Sequence, residues 1–173
     1  MKRALQFFGG LVLVVLLHLI GTRLFDYWSL LIDLMLVVTV FNALDSSPLG
    51  GMWGGFAAGW ATDALVGTSY GIFGLTGTII GYGVALAVQR VVIHRAVGAA
   101  LLFALASAAQ QGLVLGLSLL LLTSPEIPDG RWMLYKIATT GLVGAALFVA
   151  RQHLVNRVDL WRHTRRTRIR LDR

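Results

Sequence analysis

Four ionisable side chains, His18, Asp33, Asp63 and Lys136, interrupt stretches of sequence that are otherwise almost wholly apolar. A charge held at the centre of a bilayer-spanning helix costs about 2.5–3.5 kcal/mol unless it is paired or hydrated. Residues of this kind therefore mark an internal ion pair or a site. The set pairs one lysine with either of two acids, so Lys136 is expected to meet Asp33 or Asp63 in a polar layer; on the competing reading each group snorkels to the interface alone. Catalysis finds little support. A zinc site wants ligands at helical spacing such as i, i+4, whereas His18, His94, His153 and His163 are scattered. Asp33 and Asp63 could form an acid pair, but no nucleophile or metal motif accompanies them. Asp45-Ser46-Ser47 and Gly67-Thr68-Ser69 read as turns, and the chain has no cysteine for a disulfide, a thiolate ligand or a thiol nucleophile. The expectation is a protein that is not an enzyme and needs neither metal nor cofactor.

A second pattern is structural. Gly51, Gly55, Gly59, Asp63, Gly67 and Gly71 recur every fourth residue, which lays them along one slowly drifting stripe of a helix. Small residues at this spacing let a second helix approach backbone to backbone, which is how spans associate when lipid supplies no hydrophobic drive. That second helix can belong to the same chain or to a partner. Gly77 and Gly81, and Gly112 and Gly116, repeat the spacing. Gln110 and Gln111, with Ser107 one turn before, are amides in an apolar stretch; they either bond a neighbouring helix or line a cavity.

These residues must be positioned by helices in a membrane. The 173 residues are 57% hydrophobic and only 13% charged, with a mean hydropathy of +0.75. Soluble domains carry about 45–50% apolar and ~25% charged residues, so a monomeric soluble enzyme is excluded on composition. A span needs about 20 helical residues to cross a ~30 Å hydrocarbon core. Six stretches qualify: 4–22, 27–44, 49–66, 70–89, 97–122 and 132–150. Open strands cannot cross lipid with unpaired edges, and the stretches are too long and too evenly apolar for barrel strands. The expected architecture is an all-α, six-transmembrane-helix bundle over residues 1–150, followed by a basic tail over 151–173. Met1-Lys2-Arg3 and Leu11 to Leu17 resemble a signal peptide, but no small-x-small site follows between His18 and Arg23, so a retained helix is expected.

Charge sets the orientation. The net charge is +7, and eight of the fifteen basic residues lie in the last 23 positions. With six spans and an inner N-terminus, twelve Lys and Arg fall inside (Lys2, Arg3, Arg90, Arg95 and the tail) against three outside, Arg23, Arg131 and Lys136. Basic residues favour the cytoplasmic side, so both termini are expected there. Leu154, Val158 and Trp161 share a helical face among arginines. Arg157, Trp161, Arg162, Arg165 and Arg166 thus become candidates for contact with anionic lipid, an amphipathic helix and a solvated tail both being open. No fold is visible that would present the tail to nucleic acid.

Gly55-Phe56, then Gly59, Asp63, Gly67 and Gly71, then Ile79-Ile80-Gly81-Tyr82 resemble the signature of the MreD family of rod-shape-determining membrane proteins. The family's pattern there reads G-F-x-x-G-x-x-x-D-x-x-x-G. It matches about a third of the chain closely, while length, span number and basic ends fit throughout. One departure is Asp26-Tyr27-Trp28, where the family often opens its second span with a proline-containing turn; it bears on the boundary of that span. The resemblance implies a bacterial cytoplasmic-membrane protein that is not an enzyme and works in the cell-elongation complex. Its implied partners are MreC, contacted directly, and through it RodA, PBP2 and MreB in peptidoglycan synthesis. The implied fold is similar to the substrate-binding subunits of energy-coupling-factor vitamin transporters. On this reading Gly51, Gly55, Phe56, Gly59, Asp63 and Gly67 form a docking face for a helix of MreC. The alternative is an uptake subunit in which His18, Asp33, Asp63 and Lys136 cup a small molecule; nothing in the chain resembles a nucleotide-binding loop, so it would need an ATP-driven partner.

Overall fold

The computed structural model describes residues 2–25, 32–67, 71–90, 96–122 and 129–171, with side chains between 7 and 154. Six helices account for nearly all of them: α1 (Lys2–Leu24), α2 (Leu34–Asp45), α3 (Pro48–Val66), α4 (Ile72–Arg90), α5 (Ala96–Leu121) and α6 (Gly130–Leu171). Four carry stretches long and apolar enough to cross a membrane, at Phe7–Leu24, Ile72–Arg90, Ala96–Leu121 and Gly130–Leu154. Helix α3 has the length, at 19 residues, but its glycines, tryptophans and Asp63 dilute its apolarity.

Helix α2 departs from expectation. The apolar run predicts a span over 27–44, yet the described helix begins only at Leu34 and has 12 residues, about 18 Å of rise. The cause is Asp33, whose carboxylate accepts the Leu36 amide at 3.0 Å and so serves as the N-cap. A side chain that satisfies an otherwise unpaired first-turn amide fixes where a helix starts. Residues 27–31 lie outside the described part. At the other end of the chain, α6 runs unbroken for 42 residues, about 63 Å, so no break in the helix separates the last span from the basic segment at 150. The side chains of Arg157, Trp161, Arg162, Arg165 and Arg166 lie outside the described residues.

The centre of the bundle is the antiparallel pair α3 and α4. Gly51 lies against Gly81, Gly55 against Gly77, and Gly59 against Phe73 and Gly74. The contact is backbone on backbone: a Cβ added to Gly55 would strike the Gly77 carbonyl, one on Gly77 the Gly55 carbonyl, one on Gly81 the Gly51 carbonyl. Of the two neighbours that the spacing leaves open, a helix of the same chain or a partner's, the chain's own α4 lies along the stripe. Gly67 is not part of the stripe. It ends α3 in the left-handed conformation (φ 72°), returning its amide to the Asp63 carbonyl, and Gly71 (φ 66°) opens α4 the same way. Positive φ is cheap for glycine and strained for residues with a Cβ.

The other helices pack around this pair. Asn42 of α2 fits the hollow at Gly54 and donates to the Gly50 carbonyl at 3.0 Å. Leu36, Val40, Ile80, Val84 and Phe103 join α2, α4 and α5 in the main apolar cluster. Phe103 also presses on Gly144 of α6 and packs its ring 5.2 Å from Phe41. Helix α1 is peripheral. Among its described side chains Leu11 is the buried apolar one, and it sits with Met35 and Ala58. By contrast Gly112 and Gly116, which share the four-residue spacing, have no atom of another element within 4 Å of where a Cβ would stand.

Overpacking of a close contact costs about 1–3 kcal/mol and sometimes more. Gly55→Ala and Gly77→Ala should therefore each lower the thermal midpoint of the purified protein or prevent its folding, whereas Gly112→Ala should leave it unchanged. Equal midpoints for all three variants would contradict the close approach of α3 and α4.

Candidate functional site

Asp33 organises one end of the bundle. It is 8% exposed. Beyond its capping bond to Leu36, its Oδ2 accepts from Gln110 Nε2 at 3.1 Å and lies 3.4 Å from Lys136 Nζ. Its own amide donates to Thr140 Oγ1 at 3.2 Å, and Thr140 is fully buried. One residue thereby ties α2 to α5 and α6. Apolar flanks leave water little access, and a buried carboxylate in such a place is tolerable only when its oxygens are met by donors. Here a backbone amide, a side-chain amide and an ammonium meet them.

Asp63 does something else. It is 7% exposed, and its two oxygens accept the amides of Phe73 at 3.1 Å and Gly74 at 2.8 Å. These are first-turn amides of α4 that have no partner inside their own helix. The carboxylate also faces the positive end of the α4 dipole. An acid on α3 thus caps the helix that follows it, across the turn that Gly67 and Gly71 make possible. Of the two acids open to Lys136, the structure gives it Asp33.

The four polar-layer residues therefore form two arrangements at the same end of the bundle. One is the hub of Asp33, Lys136, Gln110 and Thr140, with His18 of α1 beside it; His18 shares a cavity with Asp33, Lys136 and Thr62. The other is the Asp63 cap. Gln110 and Gln111 both bond neighbouring elements, Gln111 Nε2 donating to the Met133 carbonyl at 3.2 Å. Thr140 is the hub member that sequence reasoning misses; the polar pair Thr139-Thr140 inside an apolar stretch is its only trace there. Phe56 is separate from all of these, 44% exposed on the outward side of α3.

At the opposite end, Arg151 of α6 reaches Asp45 at the end of α2, Nη2 to Oδ2 2.6 Å. Its guanidinium lies 6.0 Å from the centroid of Phe41. Both partners of the ion pair are about half exposed, where such a pair contributes little by itself; it marks where α6 passes the end of α2.

A helical bundle with apolar spans, a backbone-packed glycine pair and buried carboxylates engaged at helix ends is the architecture of a membrane protein. A family model described as MreD, rod shape-determining protein MreD, matches residues 1–125, and the chain belongs to that family. The matched region takes in α1 to α5, including both capping acids, and stops before α6. No curated protein and no solved structure matches the chain.

The two arrangements can be separated energetically. Removing one member of this part-buried pair leaves the other charge in a poorly hydrated place. Asp33→Asn and Lys136→Met should therefore be non-additive, with a coupling above about 1 kcal/mol, while Asp63→Asn and Lys136→Met should add within about 0.5 kcal/mol. Double-mutant cycles on unfolding in detergent measure both, and the reverse ranking would reassign the lysine to Asp63.

Proposed function

We propose that this protein is a non-catalytic scaffold of the bacterial cell-elongation complex. It sits in the cytoplasmic membrane with both termini inside, binds MreC directly, and gathers RodA, PBP2 and MreB through it. The observation that carries this reading is the family match over residues 1–125, which contains the phased Gly55-Phe56, Gly59 and Asp63. The excess of Lys and Arg on one side supports the orientation, and a basic C-terminal segment suits an anionic inner leaflet.

Because α4 covers the glycine stripe, the docking face is assigned to the outward side of α3. Leu49, Trp53, Phe56 and Trp60 repeat there at helical spacing, and each is at least 44% exposed. Aromatic side chains provide large rigid contact areas for a partner helix. Phe56 is the member shared with the family signature. The uptake-subunit alternative gains nothing from the geometry. The cavity beside His18 and Lys136 measures about 40 Å³, whereas sites for drug-sized ligands run to about 300–1,000 Å³.

The test is affinity purification of the tagged protein from native membranes in mild detergent, with partners identified by mass spectrometry. The wild type should recover MreC. The double variant Phe56→Ala/Trp60→Ala should recover several-fold less at an unchanged thermal midpoint, and Leu105→Ala on α5 should behave as wild type. Undiminished recovery by the double variant would reject this face, and capture of a coupling subunit with ATPases in place of MreC would reject the scaffold.

A further inference from the structure

The cavity beside the Asp33 hub brings together hydrogen-bonding capacity that the chain itself does not use. His18 Nδ1 is buried and has no partner among the described residues. Lys136 carries three N–H donors, and its one described partner is Asp33 at 3.4 Å. Both side chains line the same cavity, along with Thr62 and the apolar Met35, Leu65, Val66 and Phe73. The volume of about 40 Å³ exceeds the ~10–15 Å³ a water molecule needs. Cavities that stay dry are lined by apolar groups alone, and those with two or more polar partners hold water. A phosphate or carboxylate would need more room and more donors than this mostly apolar lining offers.

We propose that this cavity is a water-binding site in which bound water bridges His18 Nδ1 on α1 to the Lys136 ammonium on α6. The bridge extends the hub, which otherwise joins α2, α5 and α6, to α1. Helix α1 meets the bundle through the apolar contacts of Leu11 with Met35 and Ala58, and Thr22 spends its hydroxyl on the carbonyl of Leu19 in its own helix. The imidazole is thus the polar tether of α1 among the described residues. Water suits the role better than a direct bond because it accepts from the ammonium and still offers two O–H groups to the imidazole and Thr62.

Pulsed hydroxyl-radical footprinting of the full chain in lipid nanodiscs tests this, because radicals generated from a trapped water attack the side chains beside it. Met35 is the probe, lining the cavity at 4% exposed, and Met52 on α3, outside the cavity, is the internal reference. In the wild type Met35 should oxidise at a rate comparable with Met52 despite its burial. In His18→Phe, which removes the acceptor and fills the space, oxidation of Met35 should fall several-fold while that of Met52 holds. A Met35 that stays unoxidised in the wild type overturns the proposal whether or not the variant folds. So does a Met35 rate unchanged by the substitution in a folded variant.

Discussion

The contact on which the rest of this structure depends is that of α3 with α4, where two backbones meet without a Cβ between them. Lipid offers no hydrophobic drive for helices to associate, so cohesion must come from van der Waals contact and polar groups, and both grow as the axes approach. Gly51, Gly55 and Gly59 on one side and Gly77 and Gly81 on the other make that approach possible along most of the pair. The nearness has a cost at the end of the hairpin. With the helices this close, the first amides of α4 lie against α3, and Asp63 supplies their acceptors. Gly67 and Gly71 then take the backbone angles that so tight a reversal demands.

Asp33 solves a comparable problem for the second half of the bundle. A helix that begins inside the protein exposes unpaired amides where there is little water, and α2 begins at a carboxylate. The charge this introduces is met by Lys136 of α6 and by an amide of α5. One start of a helix thereby recruits two others. The two acids are chemically alike and sit at the same end of the bundle, yet one cap is built on two backbone amides and the other on a network. The difference follows from what surrounds each: the α4 amides point at Asp63 in pairs, while Asp33 has one such amide and an oxygen left over.

Much of this was legible in the residues. The apolar stretches marked the helices, and the glycine period marked a close approach. The period alone does not say which neighbour fills the stripe. The answer lay in Gly77 and Gly81, whose matching spacing on the next helix makes a complementary surface; Gly112 and Gly116 have the same spacing and nothing close against them, so spacing is a permission and not a contact. The start of α2 was hidden because Leu30-Leu31-Ile32 continue the apolar run straight into Asp33, and hydropathy cannot see a cap. The lysine's choice between acids was equally invisible, because spacing along the chain does not show that Asp63 gives both oxygens to α4 amides while Asp33 Oδ2 faces Gln110 and Lys136 together.

The weak apolarity of α3 has a consequence for how the chain is made. Alone in a bilayer, this segment would present bare glycine backbone and, in its last turn, a carboxylate without donors, and ionised groups inside a membrane are costly unless paired. Both burdens vanish once α4 lies alongside, since its backbone covers the glycines and its first amides take up Asp63. Emerging from the ribosome, α3 is thus better suited to wait beside the translocon until α4 follows and to enter lipid with it as a preformed hairpin. The order of synthesis, with only a few residues between the two, delivers them in that sequence.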